Sequence, residues 1–165
     1  MMSMSERIWT VYLSGEIHSD WRARIASGIA AAGLPVRLDA PVCTHADSDD
    51  CGTTILGGED NAFWHDRKGA SMNAIRTRTL IGEADVVVVR FGDKYRQWNA
   101  AFDAGMAAAL GKAMITLHEP AIDHALKEVD AAALAVCRTP EQVAQTLAYV
   151  IRGQLPGRET SLAAE

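Results

Sequence analysis

The run DVVVVRF, residues 85–91, constrains the fold more than any other stretch of this chain. Successive strand residues point to opposite faces, so four consecutive valines make a strand that is apolar on both sides. Such a strand belongs in the middle of a parallel sheet whose two faces are covered by helices.

The flanking segments fit that frame. IWTVYLSG, ending at Gly15, is rich in β-branched and aromatic residues and reads as a strand. DWRARIASGIAAAG then places Trp21, Ile25, Ile29 and Ala32 at helical spacing, with Ser19 or Asp20 as cap and Gly33 with Pro35 as stop. PVRLDA is a short second strand. Residues 41–66 are rich in Asp, Thr, Gly and Asn and read as a long connection, a functional loop or lid. KGASMNAIRTRTLIGEAD sets Met72, Ile75, Thr79 and Leu80 on one helical face. After the valine run, NAAFDAGMAAALG reads as a third helix and KAMITL as a fourth strand. DHALKEVDAA is a further helix and LAVC a weak last strand. Thr139 and Gln142 form a capping box that opens PEQVAQTLAYVIRGQL.

Strands alternating with helices predict a doubly wound, flavodoxin-like α/β fold: about five parallel strands with helices on both faces. The 165 residues are enough for one domain, expected over 1–155, followed by a loose polar tail over 156–165. Ligands of such sheets bind outside the carboxyl ends of the strands. That edge collects SGEIHSD, the 41–66 segment, FGDKYRQWN and HEPAID.

Composition removes several function classes. Sixteen Lys and Arg against twenty-one Asp and Glu leave a net charge of -5, so no positive field holds a nucleic-acid backbone. No run approaches the roughly 18 apolar residues of a membrane span, and the first residues lack a basic region followed by an apolar core. Cys43, Cys51 and Cys137 form no CxxC pair and suit reduced thiols, so a cytoplasmic location is expected.

Several motifs carry little. SGEIHSDW has one glycine where a dinucleotide fingerprint has three, and GTTILGG lacks the Lys and Ser or Thr of a phosphate loop. CTHADSDDC, with His65 beyond it, matches no standard zinc spacing, so neither metal nor cofactor is expected. Lys68 and Arg78 read as a solvated helix face. Arg76, beside Asn73 at i, i+3, is a candidate for the pocket.

The lone carboxylate of the third helix, Asp103, is the strongest candidate for chemistry. With Trp98 or Asn99 as cap it falls in the first turn, where the helix dipole favours an ionised carboxylate. Placed beside Phe102 at the ligand edge, it suits a nucleophile or a stabiliser of positive charge. Glycosyl transfer uses such a group on the open face of an oxocarbenium-like carbon. Glu16 or Asp93 is available to protonate a departing base, and Tyr12 to orient the nucleophile. Ser14, Gly15, His18, His45, Asn73, Arg76, Gly92, Trp98 and Asn99 are the expected binding residues. Trp98 is either a base-stacking platform or a buried anchor.

VYLSGEIHSDW, EADVVVVRFGDKYRQWNAAFDAGMAAALGKAMI and HALKEVDAAA resemble the nucleoside 2-deoxyribosyltransferase superfamily, most closely its YtoQ branch, over about residues 8–149. By that resemblance Tyr12 matches the family tyrosine and Asp103 the family's nucleophilic glutamate. Two departures stand out. Asp103 is one methylene shorter, about 1.5 Å further back, and Gln97-Trp98-Asn99 replaces the family's Asp-Ser-Gly. The resemblance implies an enzyme that cleaves or exchanges the N-glycosidic bond of a nucleoside or nucleotide by a retaining mechanism, working as a homo-oligomer. The alternative is a nucleotide- or sugar-binding sensor that has lost the chemistry.

Overall fold

The computed structural model describes residues 6–94 and 96–158. Five strands, β1 (Trp9–Gly15), β2 (Val36–Asp39), β3 (Val86–Arg90), β4 (Ala113–Leu117) and β5 (Ala135–Cys137), form one parallel sheet in the order β2-β1-β3-β4-β5. This is the flavodoxin-like order, with its switch point between β1 and β3. The connecting helices are α1 (Trp21–Ala31), α2 (His45–Leu56), α3 (Ala62–Glu83), α4 (Trp98–Ala109), α5 (Asp123–Ala132) and α6 (Pro140–Arg152). A 3-10 turn, Pro120–Ile122, leads into α5.

The valine run does what its pattern requires. Val86 and Val88 join Val11, Leu13, Trp21, Ile25 and Leu147 in a core on the α1 and α6 side. Val87 and Val89 join Tyr12, Ala100, Ala104, Ala107 and Met114 in a second core on the α4 side. All four are at most 3% exposed. Tyr12 pairs in register with Val87 and Ser14 with Val89, so both residues of β1 face the second core.

The segment expected to be a loop or lid over 41–66 is mostly helical. It holds α2 and the first turn of α3, joined by residues 57–61 into a hairpin. Helix α3 begins at Ala62, where Asn61 Oδ1 accepts from the Phe63 N–H at 2.8 Å, six residues before the helix expected from Lys68. The two helices meet backbone to backbone at glycines. A Cβ on Gly52 would lie 2.4 Å from Lys68 Cβ, and one on Gly69 would lie 2.8 Å from the Asp49 carbonyl. Asn73 adds a clip, donating Nδ2 to the Ser48 carbonyl at 2.9 Å.

Two caps also differ from expectation. Asp20 occupies the N-cap of α1 without a side-chain cap bond, and Ser19, the other expected cap, donates to Glu16. At α6, Thr139 Oγ1 accepts from the Gln142 N–H as expected, but Gln142 Oε1 returns to the Arg138 N–H rather than to residue 139. Of the expected tail, residues 159–165 lie outside the described residues. Among the described residues no helix is long and apolar enough to cross a membrane.

Candidate active site

The site grows from the carboxyl end of β1. Helix α4 lies against the sheet through Ala100, Ala104 and Ala107, all buried, and these small side chains let its axis approach the strands. Asp103, next to Ala104, thereby reaches β1: the buried Ser14 Oγ donates to its Oδ2 at 2.6 Å. Asp103 makes no ion pair among the described residues. Burial pushes its carboxyl above the ordinary value, against the opposing effect of the Ser14 hydrogen bond.

The expected helix-dipole origin of an ionised Asp103 does not hold. Gln97 is the N-cap and Trp98 the first helical residue, so Asp103 is in the second turn. The dipole acts within the first. Desolvation sets its acidity instead.

Tyr12 lies behind this pair. It is fully buried, and its hydroxyl has no partner at hydrogen-bonding geometry among the described residues. Burial pushes its pKa up to about 12, with Thr77 lowering it and the Asp103 carboxylate raising it. The hydroxyl therefore stays protonated, with Thr77 and the Asp103 carboxylate as its polar neighbours.

Glu16 sits at the switch point because Gly15 permits it. Gly15 adopts φ +109°, and a Cβ there would lie 2.1 Å from the Arg90 carbonyl. That close passage lets the Glu16 N–H donate to Arg90 O at 3.2 Å. The Glu16 side chain is buried. Its carboxylate accepts from the His18 N–H and from Ser19 Oγ, with Arg90 Nε 3.5 Å away. Burial alone would raise its pKa, but these donors together bring it below the ordinary value. Glu16 is thus held ionised, which does not suit the expected general acid near neutral pH. Arg22 secures the turn, donating to the carbonyls of Leu13, Gly15 and Glu16 while stacking on Trp21.

These groups open onto a cleft of about 1010 Å³ between the sheet edge, the α2–α3 hairpin and α4. Of the expected residues, Gly15, Glu16, His18, His45, Asn73, Arg76, Trp98, Asn99 and Asp103 line it. Ser14 and Tyr12 stand behind Asp103. Gly92 packs against the Glu16 side chain, and its N–H donates to Gln97 Oε1 at 2.6 Å. Asp93 is exposed and outside the lining. Trp98 is 72% exposed, which removes the buried-anchor reading. Arg76 and Asn73 also brace the cleft wall, Arg76 through Nε and Nη2 on the Ala40 carbonyl. His45 Nδ1 lies 2.9 Å from Asp49.

Arg22, Thr77, Arg90 and Gln97 were not anticipated. Arg90 alone carried a sequence signal, as the polar residue closing an apolar strand at the ligand edge. A further cluster lies at the end of β4, where buried His118 Nε2 is 2.9 Å from Asp130 Oδ2 and Thr116 donates to the same carboxylate. Asp123, the third potential metal ligand there, is held by the Arg138 guanidinium at 2.5 Å. With a fixed cation already present, the cluster pins α5 to the sheet.

A family model described as "Nucleoside 2-deoxyribosyltransferase YtoQ" matches residues 12–151. The chain is 39% identical over 140 residues to the uncharacterized protein YtoQ of Bacillus subtilis (strain 168), spanning 85% of this chain and 95% of that one. Among solved structures, a conserved protein from Enterococcus faecalis V583 superposes with a TM-score of 0.59 at 14% identity, covering 86% of this chain and 98% of its own. A 2-deoxyribosyltransferase from Bacillus psychrosaccharolyticus superposes with a TM-score of 0.50 at 14% identity, covering 84% and 95%. At that identity both show the fold alone.

Proposed function

Because the chain belongs to the nucleoside 2-deoxyribosyltransferase YtoQ family, we propose that it cleaves or exchanges the N-glycosidic bond of a nucleoside or nucleotide, with Asp103 as nucleophile. The observation that carries this reading is a partly desolvated carboxylate in a cleft, held by a serine hydroxyl and not by a cation. A structural carboxylate buried in this way would normally be paired with a positive group.

In the proposed reaction an Asp103 oxygen attacks the anomeric carbon as the C–N bond breaks and its electron pair leaves with the base nitrogen. The product is a glycosyl ester on Asp103. A second base, or water, then attacks the same carbon and restores the carboxylate with net retention. Ser14 fixes one carboxylate oxygen, and the buried, protonated Tyr12 hydroxyl stands behind the pair as a further donor. Glu16, held ionised, accepts a hydrogen bond from a sugar hydroxyl. For the proton on the departing base we favour His18 or His45, which line the cleft, over Asp93, which does not.

We also propose a homo-oligomer, supported by the exposed Trp98 and Phe102 beside the cleft, and a cytoplasmic location, supported by three free thiols.

Incubation with mixed deoxynucleosides, deoxynucleotides and free bases, followed by chromatography, tests the activity. Free base or exchanged product is expected, and Asp103→Asn should lower turnover at least ~10³-fold. Ligand binding without turnover, unchanged in Asp103→Asn, would overturn the enzyme reading in favour of the sensor.

A further inference from the structure

We propose that the cleft takes its ligand as a phosphate monoester of the sugar, a nucleoside monophosphate, with the phosphate held by Arg78 and Arg96. This rests on the nucleoside reading above and specifies the substrate class.

Arg7, Arg24, Arg37, Arg138 and Arg152 are each paired with a carboxylate, and Arg22 is bound by backbone carbonyls. Arg78 and Arg96 make no hydrogen bond or ion pair among the described residues, yet both line the cleft. They reach it from different elements, Arg78 from α3 and Arg96 from the segment between β3 and α4. Arg76 lines the same cleft with Nη1 left over from its two bonds to Ala40.

The cleft's own carboxylates do not neutralise them. Glu16 is beside Arg90, Asp49 beside His45, Asp66 beside His65, and Asp103 is held by Ser14. Two exposed guanidiniums facing one cavity in a protein of net charge -5 therefore await an anion from outside. Guanidinium forks match a phosphate's oxygens, and a doubly charged phosphate is the group that two of them bind best.

Their position relates the anion to the reacting sugar. Thr77, between Arg76 and Arg78, neighbours the Tyr12 hydroxyl beside Asp103. Gln97, next to Arg96, holds Gly92 against Glu16. Both cations are thus chain neighbours of residues that stand around Asp103 and Glu16, where the sugar would lie. A neutral nucleoside would leave both unused.

The full-length protein is titrated calorimetrically with a panel of 2′-deoxynucleosides, their 5′- and 3′-monophosphates, 2-deoxyribose 5-phosphate and inorganic phosphate. A monophosphate is expected to bind at least ~10-fold tighter than the matching nucleoside, an advantage that shrinks as salt rises. The 5′ and 3′ arms identify the ester position. Arg78→Ala and Arg96→Ala should each bring the monophosphate-to-nucleoside ratio several-fold nearer one, and Arg78→Lys should retain part of it; thermal melts confirm that the variants fold. Equal affinity for nucleoside and monophosphate, no monophosphate binding, or arginine variants that weaken both ligands alike would overturn the proposal. Turnover is read on the same samples. Phosphate preference without turnover removes the proposed reaction and leaves this inference standing, whereas turnover without phosphate preference does the reverse.

Discussion

The carboxyl of Asp103 is less acidic in the folded chain than its ordinary value of 3.8, because burial outweighs the Ser14 hydrogen bond. The folded state therefore binds this proton more tightly than the unfolded state does. Its stabilising contribution is complete below about 3.8 and is lost as pH rises through the raised value. At neutral pH the charged carboxylate is a cost that the fold carries, as expected for a group kept for chemistry. Asp103→Asn keeps the shape and an acceptor for Ser14 while removing the charge. It should melt above the wild type at neutral pH, with the difference vanishing toward about pH 4. Thermal unfolding over a pH series checks this, and an asparagine variant less stable at neutral pH would show that the carboxylate supports the fold. Glu16 has the opposite sign: its donors lower its pKa, so its contribution is present above the ordinary carboxylate value and lost as acid protonates it.

At the scale of elements, the hairpin of α2 and α3 separates local pattern from packing. Helix α2 reads HADSDDCGTTIL, and its large apolar residues, Ile55 and Leu56, are both exposed. Its buried residue is Gly52. No apolar stripe announces such a helix, because it docks through backbone contact at Gly52 and Gly69. Gly52→Val should force the helices apart at Lys68, lowering stability by about 1–3 kcal/mol and weakening ligand affinity, since the hairpin carries His45, Asn73 and Arg76. Gly82→Ala in α3, where a Cβ meets nothing within 4 Å, serves as the control and should stabilise by about 0.4–1 kcal/mol. Urea unfolding with parallel calorimetry separates the two. Elsewhere pattern sufficed: the four valines placed β3, and the spacing of Trp21, Ile25 and Ile29 placed α1. In the site, Asp103 was legible as a carboxylate with no apolar role. Its turn was not, because Gln97 caps α4 while its side chain serves Gly92. The charge state of Glu16 was equally hidden, since it depends on Arg90, brought from β3 only by folding.

At the scale of the whole molecule, the sheet divides two tasks between its faces. The α1 and α6 face holds Trp21, Ile25, Val143 and Leu147 in a core of large side chains, none of which lines the cleft. The α4 face is built from Ala100, Ala104 and Ala107 against Tyr12, Val87 and Val89, and its thinness sets how far Asp103 stands from Ser14. Substitutions of comparable cost on the two faces should therefore separate in function. Leu147→Ala removes a fully buried side chain and should cost about 2–5 kcal/mol, with kcat/KM per folded molecule unchanged. Ala104→Leu, at a position 1% exposed, should cost about 1–3 kcal/mol through overpacking. It would also push α4 away from β1, and a displacement of about 1 Å at a reacting group costs on the order of 10²-fold in rate. Denaturant unfolding gives the two stabilities, and turnover corrected for the folded fraction gives the two activities. Parallel loss of activity in both variants would mean that the site depends on global stability; loss in Ala104→Leu alone would show that the alanine spacing of α4 positions the nucleophile.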